Sequence, residues 1–183
     1  MGYFSTWTES ASGGVRLLAP YGLMAVLFLF GSFSFAFPAA GTVKAPFLLM
    51  AVYYWSIYRP SLVPPWFVFS IGILSDLAGG LPLGLTALVF VAMRWILADQ
   101  RKFLMGQSFS AVWIGFVILS AAAGAAQWIV FGLISGVFPS PRSLLVSTLF
   151  GVALFPAVCV ALHLTYKLLP SVETSFVIKR KNR

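Results

Sequence analysis

The sequence predicts an all-helical integral membrane protein, a compact bundle of about six transmembrane helices, and three observations indicate this fold class. Hydrophobic residues make up 60% of the 183 positions and charged residues only 9%, whereas soluble domains carry about 25% charged residues. The apolar residues form long runs separated by turns rich in Gly and Pro. Lys and Arg concentrate on one of the two sides that six crossings define. At roughly 20 residues per spanning helix, the chain holds a single domain.

Six apolar runs define the predicted helices. They cover residues 17–37, 46–58, 62–78, 83–98, 109–137 and 143–169. The run 46–58 is short for a span, so it must be tilted, extended by its flanks or sheltered by protein. Turns are predicted at 38–41, 79–82 and 139–141, and a polar stretch at 99–107 separates the fourth and fifth helices. The resulting organisation is an N-terminal tail (1–16), a transmembrane domain (17–169) and a basic C-terminal tail (170–183).

The distribution of basic residues predicts the orientation of the bundle. Ten of the twelve Lys and Arg residues fall on one side: Arg16, Arg59, Arg94, Arg101, Lys102, Lys167, Lys179, Arg180, Lys181 and Arg183. The other side receives Lys44 and Arg142. Because cytoplasmic loops are enriched in Lys and Arg, both termini are predicted to be cytoplasmic. The net charge of +8 is therefore attributed to topology and anionic lipid rather than to nucleic acid.

Asp76 is the acidic residue that lies clearly inside an apolar run, where a carboxyl group is energetically costly and so indicates a specific role. It could bind a ligand or handle protons, or it could cap the amides freed by the following Gly-rich turn. We favour the structural role, because a lone carboxylate supplies no acid/base pair. Arg94 lies too far along the next helix to pair with it. Gln127, at a similar depth, is the better candidate for a hydrogen bond.

Other polar residues offer little chemistry. Cys159 and His163 are spaced i, i+4 and share a helix face, so they could be a nucleophile and its base. With no third orienting group, a packed cysteine and an interfacial histidine are the better interpretation. A single Cys and a single His also argue against a metal site. We therefore expect no catalytic residues, no metal and no cofactor.

Two stretches of the fifth helix have small residues four positions apart, a spacing that lets helices approach closely in lipid. They are Ser120 to Gly124 and Gly132 to Gly136, with Gln127 between them. Packing within the chain is the favoured use. The same face is also a candidate surface for another membrane protein.

The central part of the chain resembles the MreD family of bacterial rod-shape-determining proteins. The resembling residues are Tyr53-Tyr54-Trp55 with Arg59-Pro60, then Gly72-Ile-Leu-Ser-Asp76, then Gly80-Leu-Pro82-Leu83-Gly84-Leu-Thr-Ala87-Leu88. Helices 1, 5 and 6 offer no distinctive match. From this segment we expect Asp76, Gly80, Pro82 and Gly84 to hold the reversal between helices 3 and 4, and a bulky residue at Gly84 to lower the yield of folded protein.

The resemblance implies a non-enzymatic inner-membrane subunit of the cell-elongation machinery. Its implied partner is MreC, and through MreC it is connected to MreB filaments and to the membrane enzymes that make peptidoglycan. The implied fold is similar to that of the substrate-binding subunits of energy-coupling-factor transporters. The alternative function is therefore a substrate-capturing subunit for vitamin uptake. Against it, helix 1 lacks the A-x-x-x-A face with which such subunits bind the energising subunit.

Overall fold

A computed structural model describes residues 19–37, 41–138 and 140–168 of the chain. In chain order the elements are α1 (Ala19–Ser32), β1 (Ser34–Phe37), β2 (Gly41–Lys44), α2 (Phe47–Tyr58), α3 (Pro65–Gly79), α4 (Leu85–Met105), α5 (Phe109–Ser135) and α6 (Pro141–Leu168). The helical fold class is confirmed. The predicted tails, 1–16 and 170–183, lie outside the described residues, as do Pro139 and most of the turn at 38–41.

A two-stranded antiparallel hairpin follows α1 and was not predicted. Ser34 is paired with Lys44, and Phe37 with Gly41. The prediction that the first helix extends to residue 37 is therefore wrong, because its described part ends at Ser32. The alternating Ser-Phe-Ala-Phe sequence suits a strand, and the residue before Pro38 is biased towards extended backbone.

Helix α2 is the central helix of the bundle. Ten of its twelve residues are buried, and it packs against α4, α5 and α6. Apolar residues occur on every side of this helix, which suits a position surrounded by other helices. The short second run is thus sheltered by protein, one of the three arrangements that its length allows.

Helix α4 is longer than predicted, because the polar stretch from Asp99 continues it to Met105. Lys and Gln are good helix formers, and Lys102 lies in the last turn, where a cation complements the helix dipole. The predicted end of this helix at residue 98 is therefore wrong. Lack of hydrophobicity signals the end of a membrane span but does not end a helix.

Helices α5 and α6 are, among the described residues, the two that are long and apolar enough to cross a membrane by length and composition. Helices α1, α2 and α3 are apolar but shorter; α3, with 15 residues, rises only about 22 Å. Aromatic rings join α2 to the two long helices. The rings of Phe116 and Phe155 are stacked with centroids 4.2 Å apart, and the Tyr53 hydroxyl donates to the Val112 carbonyl at 2.8 Å.

Candidate functional site at the turn between α3 and α4

The C-terminus of α3 closes in a Schellman motif around Gly80. The Gly80 amide donates to the Leu77 carbonyl at 3.4 Å, and the Leu81 amide donates to the Asp76 carbonyl at 3.0 Å. Gly80 has φ +65°, the left-handed conformation that this motif requires and that glycine adopts most easily. The chain then reverses through Pro82, whose carbonyl accepts from the Leu85 amide at 3.2 Å.

The Asp76 side chain caps the N-terminus of α4 from the neighbouring helix. Its Oδ2 accepts from the Gly84 amide at 2.9 Å, and its Oδ1 accepts from the Thr86 amide at 3.0 Å. The residue is fully buried. The first amides of a helix have no intrahelical acceptor, and the helix dipole favours negative charge at that end. Both carboxylate oxygens are thus engaged in joining α3 to α4.

Two further glycines shape this junction for different reasons. Gly84, the residue before α4, has φ +93° and open space around its Cα, so its requirement is backbone conformation and not the bulk that the sequence suggested. Gly72 lies at the crossing of α3 and α4. A Cβ there would approach the Ala87 amide nitrogen to 2.7 Å and the Ala87 Cβ to 2.9 Å. Only glycine lets the two helices approach so closely.

Gln127, the candidate for contact with Asp76, and Arg94, which was expected not to pair with Asp76, both bind elsewhere. Gln127 Nε2 lies 3.4 Å from the Thr86 hydroxyl oxygen, so the amide reaches Asp76 only through Thr86, and the expected direct bond is not formed. Arg94 Nε donates to the Val63 carbonyl at 3.2 Å. Since Val63 lies in the connection between α2 and α3, Arg94 acts at the opposite end of these helices.

The connection between α2 and α3 is held by arginine side chains, which the sequence analysis did not foresee. Arg101 Nε donates to the Ile57 carbonyl at 2.8 Å, in the last turn of α2. Arg59 ends α2, and its guanidinium lies 5.5 Å from the centroid of the Tyr166 ring. The Pro60 carbonyl accepts from the Val63 amide at 3.3 Å. The spacing of Arg94 and Arg101, two turns apart on one helix, is the signal that could have suggested a shared target.

The small residues of α5 are used inside the chain. Gly124 faces α6, where a Cβ would lie 3.5 Å from Leu144 Cδ1. Gly132 makes room for the Phe138 ring, and Gly136 ends the helix with φ +69°. Ser120 is buried and donates to the Val117 carbonyl at 3.1 Å. These contacts leave Gly124 and Gly132 little room to receive a partner helix, whereas the space around Gly136 is open.

Cys159 and His163 make different contacts. The Cys159 side chain is buried, while His163 Nδ1 shares a hydrogen bond of 3.3 Å with the Tyr54 hydroxyl. Among residues 19–37, 41–138 and 140–168, no three His, Cys, Asp or Glu side chains are grouped as a metal site would require. In the same residues, the Trp55 Nε1 and Ser56 Oγ atoms are buried without a hydrogen-bond partner.

A cavity of about 450 Å³ lies at the end of the bundle that contains the α3–α4 turn. It is bounded by the end of α1, the start of α2, the end of α3, the starts of α4 and α6, and the second half of α5. Its polar lining includes Lys44, Ser75, Thr86, Gln127, Ser147 and Thr148. Under the predicted topology this is the outer end of the bundle.

These observations define a small helical membrane protein, in which buried polar side chains such as Tyr53 and Asp76 join helices. The chain belongs to the MreD family, because the family model described as rod shape-determining protein MreD matches residues 16–165, most of the chain. The resemblance drawn from residues 46–88 is thereby confirmed. Members are membrane proteins with a role in determining rod shape. No curated protein and no solved structure matched the chain, so the likeness to vitamin-transporter subunits stays a prediction.

Proposed function

We propose that this protein is a non-enzymatic inner-membrane component of the rod elongation complex. It binds MreC and thereby supports cell-shape maintenance and lateral peptidoglycan synthesis, with MreB filaments and the synthetic enzymes as indirect partners. The family match over residues 16–165 carries this proposal. The state of Asp76 supports it, since a fully buried carboxylate whose two oxygens accept backbone amides is poorly placed for acid/base work.

The contacts of α5 bear on where MreC would bind. Since Gly124 and Gly132 are occupied by side chains of this chain, the transmembrane helix of MreC is proposed to lie on an outward face. Helix α3 offers one, because its buried residues form a single stripe of Val68, Gly72 and Asp76. Its remaining faces expose large side chains, among them Trp66, Phe69, Leu74 and Leu77.

Co-purification tests the proposal directly. The full chain is co-expressed with tagged MreC and extracted in a mild detergent, and we expect the two to elute as one complex. The control replaces the MreC transmembrane helix with that of an unrelated single-span protein. Recovery of folded protein without MreC would count against the proposed function, as would equal binding to the control.

Site-specific photo-crosslinking then locates the contact. A photo-reactive residue at Leu74 of α3 should crosslink to MreC, whereas one at Gly124, which faces α6, should not. Crosslinks from α5 positions such as Ile118 in place of Leu74 would move the proposed face to α5 and leave the binding itself intact.

The cavity favours a second candidate, the capture of a small molecule for uptake. Its volume of about 450 Å³ falls within the ~300–1,000 Å³ typical of small-molecule sites. Asp76 is not among the residues that line it. Protection of the purified chain against heat by a vitamin, tested across a panel, would support this candidate; protection by none would remove it.

A further inference from the structure

The cavity at the α3–α4 end is a feature that the scaffold role does not use. Its wall is made from all six helices and the end of β2, so a packing defect between one pair of helices does not account for it. Polar side chains in the interior of a membrane bundle are energetically costly unless they bind protein groups, water or a ligand. The polar lining of this cavity therefore indicates that it binds water or a ligand.

The charge of the lining is positive. Lys44 contributes a cation, and no Asp or Glu of the described residues lines the cavity. The nearest carboxylate in sequence and depth, Asp76, is committed to the Gly84 and Thr86 amides. Lys44 Nζ lies beside the end of α3, 3.9 Å from where a Gly79 Cβ would be. Lys44 is exposed to solvent and, within the described part of the chain, forms no salt bridge, so its charge is available to an anion that enters from outside.

The hydroxyl groups supply mostly acceptors. Thr148 donates its proton to the Leu144 carbonyl at 2.9 Å, and Ser147 donates to the Lys44 carbonyl at 2.8 Å. A hydroxyl oxygen that donates its one proton to backbone retains lone pairs. A complementary ligand thus has a negative group for Lys44 and hydroxyl donors for these oxygens.

The rest of the wall is apolar. Phe28, Leu49, Phe90 and Phe131 contribute to it, which suits the carbon chain next to a polar headgroup. A volume of about 450 Å³ accommodates a headgroup and the carbons nearest to it rather than a whole two-chain lipid.

From this lining we propose that the cavity binds an organic phosphate bearing hydroxyl groups, with Lys44 against the phosphate. Two sources share this chemistry: the headgroup of an anionic phospholipid such as phosphatidylglycerol, and a soluble glycerol phosphate. Binding at this site does not depend on the proposed interaction with MreC, so the two proposals fail separately.

Thermal unfolding of the purified full chain in detergent tests the site with three probes. These are dioleoylphosphatidylglycerol, dioleoylphosphatidylcholine and sn-glycerol 3-phosphate. Protection by phosphatidylglycerol alone identifies a lipid as the source, and protection by glycerol phosphate identifies a soluble ligand. Equal protection by phosphatidylcholine, or protection by none of the three, would overturn the proposal.

Two pairs of variants confine the effect to the cavity. Lys44→Gln should weaken binding of the protecting probe at least about fivefold, the loss expected for one cation, whereas Lys102→Gln, exposed on α4, should leave it unchanged. Ser75→Phe should fill the cavity and abolish protection, whereas Ser70→Phe, exposed on the same helix, should retain it. If a folded Lys44→Gln variant and a folded Ser75→Phe variant both bind like the unmodified chain, the assignment is wrong.

Discussion

At the two ends of the α3–α4 pair, side chains of opposite charge bind opposite kinds of backbone group. At one end the buried Asp76 carboxylate accepts the free amides at the start of α4. At the other end Arg94 and Arg101 of α4 donate to the Val63 and Ile57 carbonyls, near the end of α2. Free amides need an acceptor and free carbonyls need a donor, especially where lipid offers neither. At both ends, therefore, the ionisable side chains satisfy the hydrogen bonding of backbone groups.

The charged residues at the two ends differ in burial, and this difference predicts which substitutions destabilise the protein most. Asp76 is fully buried, whereas Arg94 and Arg101 are only half-buried. A buried group that loses its partner cannot recruit water. Substitutions at the α3–α4 turn should therefore cost more than those at the arginine end.

Asp76→Ala should give the largest effect. It leaves the Gly84 and Thr86 amides without the charged acceptor that they share, which costs roughly 3–5 kcal/mol in the free energy of unfolding. The measurement is thermal unfolding in detergent, with Asp99→Ala, an exposed carboxylate on α4, as the control. A stability loss no greater than that of the control would contradict the capping role.

Gly72→Ala should come next. The added methyl group meets the backbone of Ala87, so α3 and α4 must separate, at a cost of about 1–3 kcal/mol. Gly22→Ala in α1, where a Cβ meets nothing within 4 Å, is the matched control and should not destabilise. Equal unfolding midpoints for the two variants would show that the helix crossing tolerates side chains.

Gly84→Ala should cost about 1–2 kcal/mol, because φ at this position is +93° and L-residues resist positive φ. The surrounding space is open, so Gly84→Asn should be tolerated better than Gly84→Ala despite its larger size. Unfolding midpoints of the two variants provide the test. A loss that grows with side-chain volume would restore the steric explanation.

Arg101→Gln should have the smallest effect, about 1 kcal/mol, since water or headgroups can replace one hydrogen bond at a half-buried site. Lys102→Gln, the exposed neighbour on α4, is the control and should be neutral. If Arg101→Gln destabilised as strongly as Asp76→Ala, the ranking of the two ends would be reversed.

The sequence was sufficient for most of the helical framework and for the α3–α4 turn. Apolar runs and Gly or Pro punctuation located α2, α3, α5 and α6 within a few residues, because lipid requires continuous apolar helices. The capping role of Asp76 could be predicted too, since a lone acid before a Gly-rich turn most often accepts hydrogen bonds from the amides of that turn. The hairpin after α1 was missed because its phenylalanines extended the apolar run and hid the strand pattern.

Other features depend on contacts between distant segments. Arg101 reaches Ile57 over 44 positions of sequence, and no local pattern indicates this pairing. The cavity is formed by parts of six helices, none of which contributes more than three polar residues there. Gln127 was correctly placed near the turn, but its target, Thr86 instead of Asp76, depends on side-chain geometry.

We infer that the role of Asp76 is to stabilise the fold and not to take part in a reaction. Its most direct test is Asp76→Asn expressed in place of the native MreD in a rod-shaped bacterium, with the amount of folded protein and the rescue of cell shape measured in the same cells. Asparagine keeps one acceptor oxygen but no charge, so shape rescue should decrease only in proportion to the folded protein. Folded protein at the normal level together with loss of rod shape would contradict a purely structural role for Asp76.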